Sequence, residues 1–302
     1  MNVLVTVDKF GKEARQLLGE VCSTNHTIYY NSIEKRLSKE ELTEAINKTK
    51  PEIIIAGTEV YDTEILDLAT KLKVISRVGI GLDSIDLKEC EARNIIVEST
   101  PDAPSDAVAE LTLGQILNAI RRIQEVDMSV RKNGWFRYVG KDLKQSTVGI
   151  IGYGRIGSRV ANMLKGLCKD IYVHEIDDTK NIEFNKSDLN YILTNCDIIT
   201  LHIPFNSNNK NLITYKELDL LKKDCILINT SRGGIIHEQD LYDWLVKNED
   251  AIAAIDVFEQ EPYSGNLTTL TNCYLTPHLG SCTIKSRRDM EVGAVKNITK
   301  YL

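Results

Sequence analysis

The sequence lacks the patterns that mark small secreted proteins and metal-binding modules. Its 302 residues include seven cysteines, an odd number, and no two of them form a C-x-x-C pair. We therefore predict no disulfide framework and no metal site. Several cysteines lie in apolar runs, so we interpret them as small buried residues in a reducing compartment.

The sequence also lacks segments that would direct it to a membrane or a polyanion. The N-terminus, MNVLVTVDKF, has no basic stretch before a long apolar run, and no run approaches the ~20 apolar residues of a membrane span. Asp and Glu number 43 and Lys and Arg 37, which gives a net charge of −6. Such a chain is poorly suited to nucleic acid or an anionic membrane. We predict a cytoplasmic protein. If it binds a small anion, the positive charge that does so must be concentrated at the binding site.

What the chain does contain is an alternation of short apolar runs with amphipathic stretches, which indicates an α/β protein with parallel sheets. Helical patterns include Ser38–Thr49, which opens with a capping box, Ser105–Arg131 and a last helix from about Thr283 to Tyr301. The prolines of the segment 99–104 divide the strands into two predicted sheets. Ten apolar runs are interpreted as buried strands: Val3–Val7, Ile53–Ala56, Val74–Arg77, Ile95–Val97, Val148–Ile151, Ile171–His174, Ile198–His202, Cys225–Asn229, Ile252–Val257 and Tyr274–Thr276.

A glycine motif follows the predicted strand Val148–Ile151. It runs Gly152-Tyr-Gly154-Arg155-Ile156-Gly157 and leads into a helical pattern. This G-x-G-x-x-G arrangement permits a tight turn and a close approach of backbone N–H groups to a pyrophosphate at a helix N-terminus. Glu175 ends the next strand, where an acid accepts hydrogen bonds from ribose hydroxyls, and Ile176–Asp178 include no Arg or Lys for a 2′-phosphate. The pattern favours NAD over NADP.

Polar residues follow the other predicted strands of this half, where ligands of open sheets bind. They include Arg232, Glu261 and His278. A guanidinium can grip a carboxylate, an imidazole can move a proton, and a carboxylate can stabilise the imidazolium. Each residue alone has a structural explanation, such as a solvated ion pair or a buried histidine. Together with a dinucleotide site, they indicate oxidation of a 2-hydroxy acid or its reverse.

The sequence resembles the D-isomer-specific 2-hydroxyacid dehydrogenases from end to end, and it looks most like their phosphoglycerate dehydrogenase branch. The segment from Arg77 to Asp86 resembles the family's substrate loop, and Gly149–Gly157 is similar to its cofactor loop. The other motifs that carry the resemblance begin at Asn229, Asp256 and Thr276.

The resemblance implies roles for individual residues. Arg232 would bind the substrate carboxylate together with Arg77 and the backbone N–H groups of Val78 and Gly79. His278, paired with Glu261, would exchange the hydroxyl proton. The cofactor-binding residues would be Gly152, Gly154, Arg155, Ile156, Gly157, Glu175, His202, Pro204, Thr230, Ser231, Asp256 and Gly280, with Asp256 holding the nicotinamide carboxamide.

The resemblance also implies an architecture of two Rossmann-like or flavodoxin-like doubly wound domains. A substrate domain of residues 1–98 and 284–302 would carry an inserted NAD domain of residues 99–283, with hinges near Ser99 and Ser281. Family members form homodimers through the region of residues 105–131, although an apolar stripe there would also suit an ordinary buried helix. The chain ends at Leu302, so the family's serine-sensing domains are expected to be absent.

The substrate is left open by a departure from the phosphoglycerate dehydrogenase pattern in the segment Ile55–Glu59. Ala56 stands where those enzymes carry a phosphate-binding arginine, and Glu59 would repel a phosphate. Glyoxylate, hydroxypyruvate, 3-phosphohydroxypyruvate and larger 2-keto acids therefore all remain candidates. An alternative of another class is an NAD-sensing protein similar to the family's corepressors. A formate-type enzyme is disfavoured because those relatives carry glutamine in place of Glu261.

Overall fold

The computed structural model describes residues 1–22 and 26–302. The chain separates into two compact units, which we call unit 1 (Met1–Pro104 with Ser281–Leu302) and unit 2 (Ser105–Gly280). The boundaries between the two units lie at 104/105 and 280/281, whereas the sequence analysis expected them at 98/99 and 283/284. Residues before Ser105 stay with unit 1 because Thr100 Oγ1 accepts a hydrogen bond from Gly79 N at 2.9 Å and Ala103 packs against the core of that unit.

Each unit is built on one parallel sheet. The sheet of unit 1 has the order β2-β1-β3-β4-β5, and the sheet of unit 2 has the order β12-β11-β10-β9-β6-β7-β8. The strands are β1 (Asn2–Val5), β2 (Thr27–Tyr30), β3 (Ile53–Ala56), β4 (Val74–Arg77), β5 (Ile96–Glu98), β6 (Thr147–Ile151), β7 (Asp170–His174), β8 (Asn185–Lys186), β9 (Ile198–Leu201), β10 (Ile226–Asn229), β11 (Ile252–Ile255) and β12 (Cys273–Leu275).

Helices cover both faces of each sheet. In unit 1, α1 and α11 cover one face and α2, α3 and α4 the other, and in unit 2, α5 and α7 lie opposite α8 and α10. Short 3₁₀ turns add residues 143–145, 266–269 and 299–301. The helices are α1 (Lys12–Val21), α2 (Lys39–Thr49), α3 (Thr63–Leu68), α4 (Leu87–Ala92), α5 (Ser105–Arg121), α6 (Ile123–Arg131), α7 (Arg155–Leu164), α8 (Leu189–Asn195), α9 (Tyr215–Leu218), α10 (Glu238–Lys247) and α11 (Ile284–Ile298).

The predicted fold class is confirmed, with helices and parallel strands alternating in both units. The central strands bury every side chain, since β3, β9, β10 and β11 contain only buried residues. This accounts for the unbroken apolar runs by which they were recognised in the sequence. The predicted capping box of α2 is also present, because Ser38 Oγ accepts from Glu41 N at 3.2 Å and Glu41 Oε2 accepts from Ser38 N at 2.8 Å.

The predicted helix over 105–131 is wrong as a single element. Arg122 has φ +47° and divides it into α5 and α6. The break is held by tertiary contacts, because Arg122 Nη2 donates to the carbonyl oxygens of Glu249 at 3.0 Å and Asp250 at 3.1 Å. Asn118 Oδ1 accepts from Gln124 N at 3.1 Å across the same break.

The remaining expectations concern cysteines, metals and membranes. Six of the seven cysteines are buried and Cys282 is exposed, and no disulfide occurs in the described ranges. Within residues 1–22 and 26–302, no group of three or more His, Cys, Asp or Glu side chains is placed to hold a metal ion. None of the helices in the described part of the chain combines the length and apolarity needed to cross a bilayer.

Candidate active site

The predicted glycine loop lies at the point in unit 2 where the strand order reverses. Strands β7 and β8 lie on one side of β6, and β9 to β12 lie on the other. Ligands of such sheets bind beyond the carboxyl ends of the strands at this point. The loop leads directly into α7, so that Arg155 and Ile156 are its first residues. A Cβ on Gly157 would lie 2.0 Å from the carbonyl oxygen of Gly152, so only glycine allows this packing of α7 on the turn.

The surroundings of the loop fit a dinucleotide. A Cβ on Gly154 would meet no heavy atom within 4 Å, so space is open beside the N-terminus of α7. Across the reversal point, His202 follows β9, and its buried Nδ1 has no hydrogen-bond partner in the described part of the chain. A bound phosphate-containing ligand would occupy the space beside α7, and it could supply a hydrogen-bond partner for His202 Nδ1.

His202 is a neutral group at this edge. Its Nε2 lies 3.0 Å from the Thr200 hydroxyl, and burial lowers the pKa of the imidazole to about 3. The neighbouring Pro204 offers a carbonyl that accepts from Asn209 Nδ2 at 2.9 Å. The segment after β9 therefore presents neutral polar groups, which suit the uncharged parts of a dinucleotide.

Glu175 lies at the end of β7 with a side chain that is 7% exposed. It accepts hydrogen bonds from Tyr153 N at 2.9 Å, Asp177 N at 3.0 Å and Lys180 Nζ at 2.6 Å. Burial opposes ionisation, but these donors, led by Lys180, hold the pKa of Glu175 below its ordinary value. Lys180 lies beyond Ile176–Asp178, the segment on which the preference for NAD over NADP was predicted, and the turn of the chain brings it back onto the carboxylate.

The structure brings His278 and Glu261 together. His278 Nδ1 lies 2.8 Å from Glu261 Oε2, and Glu261 Oε1 accepts from Phe258 N at 3.1 Å. Burial would raise the pKa of Glu261, but the hydrogen bond and charge of His278, and more weakly the charge of Arg232, keep it below its ordinary value. The pair is therefore a carboxylate bonded to an imidazole whose other nitrogen is Nε2, the arrangement a proton-transfer histidine needs.

Arg232 projects from a turn after β10 that Asn229 holds. Asn229 is buried, and its Oδ1 accepts from Ser231 N at 3.0 Å and Ser231 Oγ at 2.7 Å, while its Nδ2 donates to Arg232 O at 2.9 Å. Arg232 Nη1 donates to Ser231 O at 2.7 Å. Thr230 is tied to α5 through a 2.8 Å hydroxyl contact with Thr112. Hydrogen bonds therefore hold in place the turn from which the Arg232 guanidinium projects.

This turn packs closely on the loop that carries Glu261. A Cβ on Gly233 would lie 2.0 Å from both the carbonyl carbon and the oxygen of Phe258. Only glycine lets the two backbones approach so closely, and the approach explains why the charge of Arg232 reaches Glu261. The role of Gly233 was not part of the sequence prediction, because it depends on two loops that are distant in sequence.

Asp256 holds the turn that bears His278. Its Oδ1 accepts from Thr276 Oγ1 at 2.6 Å and Leu279 N at 2.7 Å, its Oδ2 accepts from Gly280 N at 2.9 Å, and its carbonyl accepts from His278 N at 2.9 Å. The carboxylate, which is 1% exposed, is thus bonded on both sides of the histidine. His278 itself has φ +53°, a conformation that non-glycine residues adopt only when their surroundings enforce it. Both oxygens bond within this turn, and the role predicted for Asp256, holding the nicotinamide carboxamide, stays a prediction.

The predicted substrate-binding residues of unit 1 follow β4. Val78 N donates to Ala56 O at 3.0 Å, and Gly79 N donates to Thr100 Oγ1 at 2.9 Å. Both N–H groups bond within unit 1, and their predicted role, binding the substrate carboxylate, stays a prediction. The Arg77 guanidinium folds back, with Nη1 donating to Val78 O.

Known proteins share this fold and are similar to the chain in sequence. Over residues 113–280, more than half of its length, the chain matches the family described as D-isomer specific 2-hydroxyacid dehydrogenase, NAD binding domain. The chain belongs to this family.

Individual relatives place it among 2-hydroxyacid dehydrogenases of several names. The D-3-phosphoglycerate dehydrogenase of Methanocaldococcus jannaschii is 35% identical over the whole of this chain, which spans 57% of that protein's length. The glyoxylate reductase of Thermofilum pendens is 36% identical over 95% of this chain and 87% of its own. The NAD⁺-bound 3-phosphoglycerate dehydrogenase of Entamoeba histolytica superposes with a TM-score of 0.85 at 27% identity, over 100% of this chain and 95% of the other.

Membership in the D-isomer specific 2-hydroxyacid dehydrogenase family confirms three predictions: the family itself, an NAD-dependent oxidoreductase, and NAD as the cofactor. The relatives differ in the substrates that their names give, so the substrate is not decided by similarity. The roles of individual residues remain predictions, and the geometry described above is what they can be judged on.

Sequence reasoning missed residues that hold others in place. Asn229, Gly233 and Lys180 act on Arg232, the Phe258 backbone and Glu175 respectively. An available signal was the Asn-x-Ser pattern at 229–231, because asparagine often accepts from the backbone two residues further on. The other two depend on loop conformations that no local pattern encodes.

Proposed function

We propose that the chain interconverts a small D-2-hydroxy acid and the corresponding 2-keto acid, with NAD as the redox partner. The observation that carries this proposal is the 2.8 Å pair of His278 and Glu261. The pair belongs to the same unit as the dinucleotide loop and follows strands of the same parallel sheet, so both lie at its carboxyl edge. The names of the relatives, which include glyoxylate reductase and hydroxypyruvate reductase, support the substrate class.

In this proposal each side chain has a separate task. Bound NAD supplies the acceptor for the hydride that leaves C2 of the hydroxy acid, and NADH supplies the donor in the reverse direction. Arg232 holds the substrate carboxylate through parallel N–H bonds, which fixes the position of C2. His278 removes the hydroxyl proton at Nε2, because its Nδ1 is engaged by Glu261, and returns that proton when the keto acid is reduced. Glu261 orients the ring through its bond to Nδ1.

The decisive experiment is NADH oxidation with a panel of 2-keto acids, in the wild type and in His278→Ala. We expect the variant to lose roughly 10²–10⁴-fold in kcat while NADH still binds. His237→Ala is a matched control, because His237 Nδ1 lies 3.0 Å from Asp240 Oδ1 in the same unit but at the start of α10. Undiminished turnover in His278→Ala would remove the histidine from the mechanism. NADH binding without turnover of any acid would favour the sensor alternative.

We also propose that two copies of the chain pair through α6 and the segment that follows it. Helix α6 contributes no buried residue, whereas α5 buries nine and is an ordinary core helix of unit 2. Large apolar side chains are exposed here, including Trp135 at 82% and Val139 at 92%. Exposed patches of this kind typically mark interfaces. Light scattering should give twice the 34.0 kDa chain mass for the wild type and a lower mass for Trp135→Lys/Val139→Lys; a monomeric wild type would contradict the pairing.

We also propose that the reaction takes place in the cytoplasm. The six buried cysteines form no disulfide in the described ranges, as is usual for proteins of reducing compartments. Fractionation of cells that express the chain with its natural N-terminus would test this placement, and recovery in a secreted fraction would contradict it.

A further inference from the structure

The segment that leads from the turn after β10 into α10 runs beside the loop of Glu261. Near its start, a Cβ on Gly233 would lie 2.5 Å from Glu259 N, so the two backbones are in close contact there. At its end, Glu238 is the first residue of α10. Glu238 Oε1 accepts a hydrogen bond from Glu259 N at 2.8 Å. The segment and the loop are therefore joined by a backbone contact and by a side chain.

Glu238 lies on a well-packed element of unit 2. Helix α10 buries three side chains in the core of this unit: Leu241, Trp244 and Leu245. The segment before the helix is held as well, because Ile235 O accepts a hydrogen bond from Ile213 N at 3.1 Å. The Glu238 carboxylate is thus a fixed point from which the loop of Glu261 is held.

The loop that receives this hydrogen bond also fixes the carboxylate of Glu261. Phe258 N donates to Glu261 Oε1 at 3.1 Å, and the next N–H along the chain, that of Glu259, donates to Glu238. A shift of the backbone at Glu259 therefore also moves the donor that holds Glu261. Glu261 in turn contacts His278 Nδ1 at 2.8 Å, so the shift would reach the imidazole.

The carboxylate of Glu238 does more than begin a helix. An acidic residue in the first turn stabilises a helix through its dipole, but Asp240 already provides one in the same turn of α10. Burial raises the pKa of Glu238, and the hydrogen bond from Glu259 N acts against that rise. A partly buried carboxylate costs free energy that an exposed acid at the same position would avoid. The contact with the loop therefore indicates a role in placing the loop.

We propose that Glu238 is a positioning residue that fixes Glu261 relative to Arg232 and so aligns the proton-transfer pair with the bound substrate. This inference rests on the proposed function. Arg232 and Glu238 belong to one continuous segment, whereas Glu261 belongs to the loop that Glu238 holds. The bond from Glu259 N thus sets how far the guanidinium that binds the substrate lies from the pair that moves the proton. A displacement of about 1 Å between such groups costs on the order of 10² in rate.

The test measures kcat, KM and the Kd of NADH in the wild type, Glu238→Leu and Glu238→Gln, with the 2-keto acid of the panel above that the wild type reduces fastest. We expect Glu238→Leu to lower kcat roughly 10–10²-fold and to leave KM and Kd within about threefold, because Glu238 acts on alignment and not on binding. Glu238→Gln keeps an oxygen for Glu259 N, so its kcat should stay within about threefold of the wild-type value. NADH deuterated at C4 should give a larger isotope effect on kcat in Glu238→Leu, because misalignment slows the chemical step and not product release.

Glu217→Leu is the matched control. Glu217 Oε2 also accepts from a backbone N–H at the start of a helix in unit 2, that of Thr214 at 3.0 Å, but this bond stays within the first turn of α9. We expect Glu217→Leu to lower the thermal midpoint and to leave kcat within about twofold. Equal losses of kcat in the two leucine variants would overturn the inference, because they would assign the effect to stability. A Glu238→Gln variant as impaired as Glu238→Leu would overturn it too, since the hydrogen bond would then not be what matters.

Glu238→Asp decides the matter if Glu238→Leu does not fold. Aspartate keeps the charge at the start of α10 but is one methylene shorter, so it no longer reaches Glu259 N at the present distance. We expect kcat to fall roughly tenfold, and a wild-type kcat in this variant would overturn the inference. An active wild type with unchanged kcat in the variants would overturn this inference and leave the proposed function standing, whereas a wild type that turns over no acid would refute both.

Discussion

Replacing Asp256 by Asn tests whether this carboxylate holds the turn of His278 or instead binds the cofactor. An amide has one oxygen and one NH₂ group, so one edge that now accepts hydrogen bonds would become a donor. The least damaging orientation keeps the oxygen toward Thr276 and Leu279, which supply two donors, and directs the NH₂ group at Gly280 N. One charge-assisted hydrogen bond is then replaced by two donors that face each other.

The expected fall in kcat for Asp256→Asn follows from the loss of this hydrogen bond. A hydrogen bond to a charged group is worth about 1.5–3 kcal/mol, and a displacement of a reacting group by about 1 Å costs on the order of 10² in rate. We therefore expect kcat to fall roughly 10–10²-fold. Burial raises the pKa of Asp256 despite its three donors, so a neutral side chain relieves a desolvation cost. The unfolding free energy should thus fall by less than the lost hydrogen bond alone would suggest.

The assay separates the two roles of Asp256. Steady-state kinetics at saturating NADH report kcat, and a fluorescence titration reports the Kd of NADH. We expect a lower kcat and a Kd within about twofold of the wild-type value, because the oxygens of Asp256 serve the turn. Asp240→Asn is the control, since Asp240 is a hydrogen-bonded carboxylate of unit 2 that lies outside the turn of His278. A Kd that rises tenfold or more with kcat unchanged would refute this reasoning and assign Asp256 to the cofactor.

Three further predictions concern single side chains. Arg232→Lys should raise KM for the keto acid roughly tenfold or more, because a point charge cannot reproduce a two-pronged grip, and unchanged kinetics would remove Arg232 from the substrate site. Glu175→Gln should shift the kcat/KM ratio toward NADPH by roughly tenfold or more, since Lys180 would face a neutral amide, and adding Lys180→Ala should cancel the shift; equal ratios in all variants would contradict this role. The pKa of His202 is about 3 in the folded chain and about 6.5 in the unfolded chain, so acid protonates the unfolded chain first. As the pH is lowered from about 6.5 toward 3, the unfolding free energy should therefore fall by up to about 1.4 kcal/mol per pH unit. Urea titrations at pH 7 and pH 5 should show that the unfolding free energy depends less on pH in His202→Gln than in the wild type. An equal dependence in the two proteins would contradict a lowered pKa of His202.

The fold could be predicted where burial leaves a trace in the sequence. The central strands are mostly apolar because both of their faces are covered. Strands β2 and β8 lie at sheet edges and none of their residues is buried, so burial leaves little trace in their sequences and they were missed. The break at Arg122 was missed because it depends on carbonyl groups more than 120 residues away in sequence.

The site shows the same division between local and distant information. Arg232, Glu261 and His278 could be named because each follows a predicted strand, and the carboxyl ends of parallel strands meet at one edge. Their supporting contacts could not be named. Val78 N donates to Ala56 O, and Gly280 N donates to the Asp256 carboxylate. Both hydrogen bonds depend on the conformations of neighbouring loops, which no spacing in the sequence encodes.

The placement of α11 in unit 1 has a consequence for biosynthesis. Met290, Ala294, Val295 and Ile298 of this helix complete the core formed by β1 and β3, and Ser76 Oγ donates to Ala294 O at 2.9 Å. All residues of unit 2 are translated before α11. Unit 2 can therefore fold on the ribosome while one apolar face of unit 1 still awaits its covering helix, and this face would be the natural target of chaperones. Proteolysis of nascent chains stalled before Ser281 should cut within unit 1 and spare unit 2.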